Sequence, residues 1–139
     1  NVELLFFYAH HTSNDIINWD LCLISCIFYY LDDVQLDGIG DFLKTIINLY
    51  YSGIFGRKCS ILSILITLIL KGNETFVKKI FFDEEIIDIL IEADNLSIVF
   101  PFGSIYEALA ILAKVFQAEN ESDVFLQLAP YLDENLEVE

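Results

Sequence analysis

The sequence contains no methionine and few basic residues. Seven lysines and arginines stand against 22 aspartates and glutamates, so the net charge is −15. Nucleic acids and anionic membrane surfaces are bound through clusters of lysine and arginine. We therefore expect neither nucleic acid nor membrane as a partner. The same charge permits a basic protein or peptide partner, because the field of the whole molecule attracts positive charge.

Long apolar runs are also missing. The longest uncharged apolar run, residues 60–70, is shorter than the roughly 20 residues that a membrane-spanning helix needs. No basic segment followed by an apolar one opens the chain, so we expect no signal peptide. We expect a cytoplasmic or nuclear protein. Because the chain has no methionine and starts directly within a helical pattern, we also expect a fragment of a longer protein.

Clusters of residues that could form a catalytic or metal-binding site are also scarce. The three cysteines, Cys22, Cys26 and Cys59, lack the spacing of a common zinc or redox motif, so we expect reduced thiols that pack in the interior. The two histidines, His10 and His11, lie at a predicted helix end with no cysteine nearby. The sequence therefore predicts no catalytic site, no metal site, no cofactor and no enzymatic activity.

What the sequence has in plenty is apolar residues at helical spacing. They make up 55% of the chain and recur with the 3.6-residue period of a helix. Residues 60–70 predict a helix buried on several sides, which Gly72 ends. A short amphipathic helix follows over residues 76–82. A second begins at a run of acids and covers 84–93, with its carboxylates placed where they stabilise the helix dipole.

The same reasoning predicts helices elsewhere in the chain. They cover residues 2–9, 15–31, 41–51, 57–70, 105–117 and 123–129, and another runs from Pro130 to residue 136. Ser104, with Glu107 three residues later, forms a capping box for the helix over 105–117. Pro101 and Gly103 predict a loop before it.

The breaks between these helices recur at a regular distance. The segment LKGNE at 70–74 matches QAENE at 117–121, an offset of 47 residues, and a short helix follows each. Periods near 40–47 residues built from helices are typical of armadillo and HEAT repeats.

The predicted unit of one short and two longer helices resembles the armadillo repeat. GNETFV at 72–77 and IIDIL at 86–90 are similar to the pattern of that family. The resemblance covers nearly the whole chain and implies an all-α, right-handed α–α superhelix of about three repeats. Its units are a partial repeat at 1–33, repeats at 34–72 and 73–119, and a partial repeat at 120–139. Such a stack exposes a long concave surface formed by successive third helices.

The resemblance also implies where a partner binds. In the importin-α proteins of this family, the third helices carry a tryptophan and, one turn later, an asparagine, which grip lysine-rich nuclear localisation peptides. The corresponding positions here are Ser25 and Tyr29, Ile64 and Leu68, and Ile111 and Val115. None is tryptophan or asparagine, so these repeats do not hold such a peptide in the usual way. The six residues are our predicted lining of a protein-binding groove.

We therefore expect a non-enzymatic module that binds a protein or peptide, in the context of a nuclear-import adaptor or a related scaffold. The alternative is a compact all-α regulatory bundle without true repeats. The two differ in shape, because one is an open superhelix and the other is a closed bundle around a central helix.

Overall fold

The structure is a computed structural model that describes residues 21, 23, 24, 27, 39–52, 55–96, 104–119 and 122–138. Within these residues it is entirely helical and contains no strand, as the sequence predicts. The helices are α1 (Ile39–Ser52), α2 (Phe55–Lys71), α3 (Glu74–Ile80), α4 (Glu84–Asn95), α5 (Ile105–Val115) and α6 (Asp123–Val138). The predicted helix over 2–9 and most of the one over 15–31 lie outside the described residues.

Helix α2 is the most deeply buried helix of the described chain. All residues from 61 to 69 are buried, as expected for a helix that is apolar on every side and surrounded by neighbours. Two of these residues are polar. The Thr67 hydroxyl donates a hydrogen bond to the Ser63 carbonyl oxygen at 2.8 Å, which removes the cost of burying an unpaired donor.

Side-chain caps fix the starts of three helices, and the sequence predicts the one at Ser104. The Phe76 amide donates to Asn73 Oδ1 at 2.8 Å at the start of α3. The Glu85 amide donates to Asp83 Oδ1 at 2.9 Å at the start of α4. The Ser104 hydroxyl accepts from the Glu107 amide at 3.0 Å at the start of α5, as the predicted capping box requires. Each cap satisfies a backbone donor that the first helical turn leaves free.

Helix α5 lies at the centre of the described chain. It packs against α2, α3, α4 and α6. Seven of its eleven residues are buried, and Leu109 and Leu112 are completely so. Neighbours on several sides explain why its apolar residues are not confined to a single stripe.

Helix α6 differs from its prediction. We expected a short helix to end at Ala129 and a new one to begin at Pro130, but α6 runs through Pro130 without a break. A proline inside a helix removes one backbone hydrogen bond and costs about 3 kcal/mol. Here Leu128 is fully buried before the proline and Tyr131 packs against the core after it, so tertiary contacts on both sides stabilise a continuous helix.

Several helix boundaries also differ from the prediction. Helix α1 already includes Gly40, which we placed before it. Helix α5 ends at Val115 rather than at residue 117, and a 3₁₀ turn, Gln117–Glu119, follows. Such turns are common at helix C-termini, where they satisfy the last carbonyl groups.

Candidate functional site

The six residues predicted to line a groove have different environments. Ile64 and Leu68 have no exposed surface, so in this conformation they belong to the core and leave nothing for a peptide to contact. Val115 is 9% exposed, and Ile111 is partly buried against the core. Ser25 and Tyr29 lie outside the described residues.

A different surface forms a groove among the described helices. A cleft of about 400 Å³ opens between α1 on one side and α3, α4 and their connection on the other. This volume falls at the lower end of typical ligand pockets, which enclose about 300–1,000 Å³. We call it the α1–α4 groove and define it by its lining residues, Gly40, Leu43, Lys44, Ile47, Asn48, Lys79, Ile80, Asp83, Glu85 and Ile86.

The apolar part of the α1–α4 groove follows from helix spacing. Leu43 and Ile47 are four residues apart on α1, so both lie on the same face of that helix. Ile80 ends α3 and Ile86 lies in the first turn of α4. The Asp83 cap fixes the corner between these two helices, and so holds the two isoleucines opposite α1.

Charges of both signs surround this apolar part. Lys44 of α1 and Lys79 of α3 are exposed on opposite sides of the groove, while Asp83 and Glu85 are exposed at the start of α4. Within the described residues neither lysine forms an ion pair with a carboxylate.

Three other basic side chains have contacts or burial of their own. Lys78 forms an ion pair with Glu119 at 2.5 Å. The Lys58 ammonium lies 5.2 Å from the centre of the Tyr50 ring, within cation–π range. Arg57 is buried. Lys114, by contrast, is exposed and has no ion pair within the described residues, so unpaired lysines are not confined to the α1–α4 groove.

An acidic row continues outward from the groove along α4. Glu85, Asp88 and Glu92 are spaced by three and four residues, are all exposed and lie on one face of a helix that has no basic residue. We call these three residues the acidic row. It presents three carboxylates over about two turns of helix to any basic group on a partner.

Tyr51 of α1 reaches this row. The pKa of Tyr51 is raised above its ordinary value of 10.0, first by lost hydration and then by the negative charges of Glu85, Asp88 and Glu92. Burial, followed by the charge of Glu92, also raises the pKa of the neighbouring Tyr50. The negative charges of the acidic row thus act on the two tyrosines near the end of α1.

A second exposed aromatic residue has a local explanation. Phe82 is 57% exposed, but its ring centre lies 5.7 Å from that of the fully buried Phe116. It therefore covers the junction between the α3–α4 connection and the end of α5, next to the Lys78–Glu119 ion pair. This packing gives Phe82 a structural role.

The described residues offer little for metal or thiol chemistry. They contain no group of three or more histidine, cysteine, aspartate or glutamate side chains arranged to hold a metal ion. Cys59 is a free thiol, half-buried against the core, and burial raises its pKa. A raised pKa lowers the thiolate fraction at neutral pH and with it the nucleophilicity of the sulfur.

None of the helices in the described ranges is both long enough and apolar enough to cross a bilayer. Comparison of the chain with protein-family models, with curated proteins and with solved structures gives no match. The function is therefore inferred from the residues of the chain itself.

Sequence reasoning missed the α1–α4 groove because its residues come from three helices that are distant in the chain. One signal was present. Lys44 lies in the interior of α1, away from the helix end where the dipole explains a basic residue. Lys79 lies in the last turn of α3 and gives no such signal.

Proposed function

We propose that the protein is a non-enzymatic binding module that docks a protein or peptide segment on the α1–α4 groove and the adjoining acidic row. The observation that carries the proposal is a cleft with an aliphatic floor and exposed charges of both signs on its border. Grooves of this kind take the apolar face of an amphipathic segment, and the charges around them select the partner.

The acidic row suits a segment with basic residues. Its three carboxylates lie on one helical face, and no basic side chain of α4 neutralises them. The net charge of −15 adds long-range attraction for such a partner. A lysine-rich segment, of the kind that importin-α relatives bind, has this chemistry, and a nuclear-import adaptor is therefore one context for the proposal.

The helix order supports an armadillo-type arrangement. Helices α3, α4 and α5 form a unit of 7, 12 and 11 residues, and α2, which ends the preceding unit, packs against α5. Contact between successive third helices is what stacking of repeats requires. A reduced Cys59 supports a cytoplasmic or nuclear location, where thiols stay free.

A second candidate, a compact all-α regulatory bundle without true repeats, is favoured by one observation. Helix α6 is a single helix of 16 residues where the repeat predicts a short helix followed by a separate one. It packs along both α5 and α4, as a helix that closes a bundle does. Both arrangements keep the α1–α4 groove and the same binding role.

The binding proposal is tested with a fluorescent amphipathic peptide of about 15 residues, which carries leucines at helical spacing and lysines on its flanks. Fluorescence anisotropy measures its affinity for the wild type and for two variants of equal net charge, Asp88→Lys and Asp123→Lys. Asp88 belongs to the acidic row, whereas the exposed Asp123 starts α6, outside the row and the groove.

We expect Asp88→Lys to weaken binding about fivefold or more, because it replaces an attractive charge with a repulsive one. Asp123→Lys should leave the affinity within about twofold, because this charge acts on the peptide only from a distance, where dissolved salt screens it. Equal losses in the two variants would show a net-charge effect alone and would contradict docking on the acidic row.

A further inference from the structure

The two lysines of the α1–α4 groove have a consequence for the kind of partner. Lys44 lies on α1 beside Leu43, and Lys79 lies at the end of α3 beside Ile80, so both border the apolar part of the groove. Both are exposed, and within the described ranges no carboxylate of the protein pairs with them. A segment that carries only lysines meets repulsion here, while it is attracted by the acidic row.

We infer that the occupant of the α1–α4 groove is an amphipathic segment of mixed charge. Its apolar side chains contact Ile80, which is partly exposed, and the edges of Leu43, Ile47 and Ile86, which are at most 7% exposed. Its acidic groups face Lys44 and Lys79, and its basic groups face the acidic row. The inference rests on the proposed binding role of the groove and adds the charge pattern of the partner to it.

Charge complementarity is the argument for this occupant. The border of the groove carries two unpaired ammonium groups on α1 and α3 and two carboxylates, Asp83 and Glu85, at the start of α4. An occupant with acidic groups near the lysines and basic groups near the carboxylates avoids like-charge contacts at both. A segment whose charges are all of one sign meets repulsion at one of them. The groove thereby discriminates among acidic, basic and mixed amphipathic segments.

The volume and composition of the groove suit a short helix or turn of such a segment. The space is about 400 Å³, and because Leu43, Ile47 and Ile86 are buried, an apolar anchor of leucine size rests mainly on Ile80. Anchors at helical spacing, with charged residues between them, are the usual form of a helix that lies in a groove.

Three probe peptides test the inference. All have the same length and the same leucines. The flanking positions are all lysine in the first, all glutamate in the second, and lysine towards one end with glutamate towards the other in the third. Anisotropy titrations give the affinity of the wild-type chain for each of the three peptides, at low and at physiological ionic strength.

We expect the mixed peptide to bind about threefold or more tightly than the lysine peptide, and the glutamate peptide to bind weakest because of the chain's net charge. Lys79→Ala should lower the affinity for the mixed peptide about two- to fivefold and raise the affinity for the lysine peptide. The ratio of the two affinities should therefore become smaller.

Lys114→Ala is the matched control. Lys79 and Lys114 are both exposed and both lie in the last turn of their helices, α3 and α5, so the substitutions have similar effects on helix stability. Lys114 does not line the groove, so its removal should change the affinities for all peptides by similar factors. Circular dichroism of each variant checks that the helices are retained.

The possible failures are distinguishable. If the lysine peptide binds more tightly than the mixed one and Lys79→Ala leaves that order and its size unchanged, the mixed-charge inference is overturned while the binding role of the groove stands. If none of the three peptides binds the wild type, the proposed function fails together with the inference. An equal effect of Lys79→Ala and Lys114→Ala also overturns the inference.

Discussion

The Tyr131 hydroxyl donates a hydrogen bond to Asp94 Oδ2 over 3.4 Å and joins α6 to the end of α4. The Tyr131 ring also lies edge-on to Tyr106 of α5, with 5.9 Å between ring centres. Tyr131 directly follows Pro130, so these contacts hold α6 in place at the residue where the sequence predicts a break.

We predict that Tyr131→Phe lowers the free energy of unfolding by about 0.5–1 kcal/mol, because it removes this half-buried hydrogen bond and keeps the ring contact. A double-mutant cycle with Asp94→Ala, measured by urea unfolding, isolates the pair. The double variant should be less destabilised than the sum of the single variants. Additive effects would mean that the two side chains do not interact in solution.

Gly72 lies between the end of α2 at Lys71 and the start of α3 at Glu74, and its backbone lies too close to its neighbours for a side chain. A Cβ there comes to 2.8 Å from the Leu68 carbonyl oxygen and 2.9 Å from Phe76 Cδ2. We predict that Gly72→Ala destabilises the protein by about 1–3 kcal/mol, the usual cost of overpacking. Its melting temperature should fall accordingly.

Gly40 provides the matched control because it lies inside α1 and nothing is within 4 Å of a Cβ placed on it. Gly40→Ala should stabilise the protein, by up to about 0.5–1 kcal/mol, since alanine restricts the unfolded chain and favours the helix. A lower melting temperature for Gly40→Ala, or an unchanged one for Gly72→Ala, would contradict the described junction.

The central position of α5 predicts a large difference between two leucines. Leu109 on α5 has no exposed surface, whereas Leu126 on α6 is 59% exposed. Leu109→Ala should cost about 2–5 kcal/mol through lost burial and the cavity that it leaves. Leu126→Ala should change stability by no more than about 0.5 kcal/mol. Similar values for the two variants in urea unfolding would show that α5 is not central.

The acidic row predicts a pH effect above neutrality. Because the pKa of Tyr51 is raised in the folded state, its phenol keeps its proton to higher pH than in the unfolded chain. Below pH 10.0 the phenol is neutral in both states, so its contribution to stability is fully present there and is lost as pH rises through the folded-state pKa.

The corresponding measurement is a tyrosinate absorbance titration of the wild type minus that of Tyr51→Phe, which reports Tyr51 alone. The pKa obtained should lie above 10.0 and should fall towards it in Glu85→Gln, which removes the largest charge effect. Asp123→Asn should leave it unchanged. A Tyr51 pKa at its ordinary value in the wild type would refute the contact between α1 and the acidic row.

Local patterns account for what the sequence could predict. The caps at Asn73, Asp83 and Ser104 depend on residues within three positions of one another, so their spacing in the sequence is enough to identify them. The buried run of α2 is likewise visible as an uninterrupted apolar segment.

Tertiary contacts account for what it could not. Proline is a strong local signal for a break, yet packing around Leu128 and Tyr131 outweighs it in α6. The α1–α4 groove brings Lys44 and Lys79 together from helices 35 positions apart, and no spacing rule relates such residues. The resemblance to armadillo repeats directed attention to Ile64 and Leu68, whose side chains the core encloses.

If the α1–α4 groove docks an amphipathic segment, a bound peptide must lie in it. The most direct test is therefore to locate such a peptide on the protein. Amide chemical shifts of the isotope-labelled chain are followed by NMR while the mixed-charge peptide is added. We predict that the largest changes occur at Leu43, Lys44 and Ile47 of α1, at Lys79 and in the first turn of α4, and that Leu126 is unaffected. Changes centred on α6, or none at a peptide concentration that saturates binding by anisotropy, would contradict the claim.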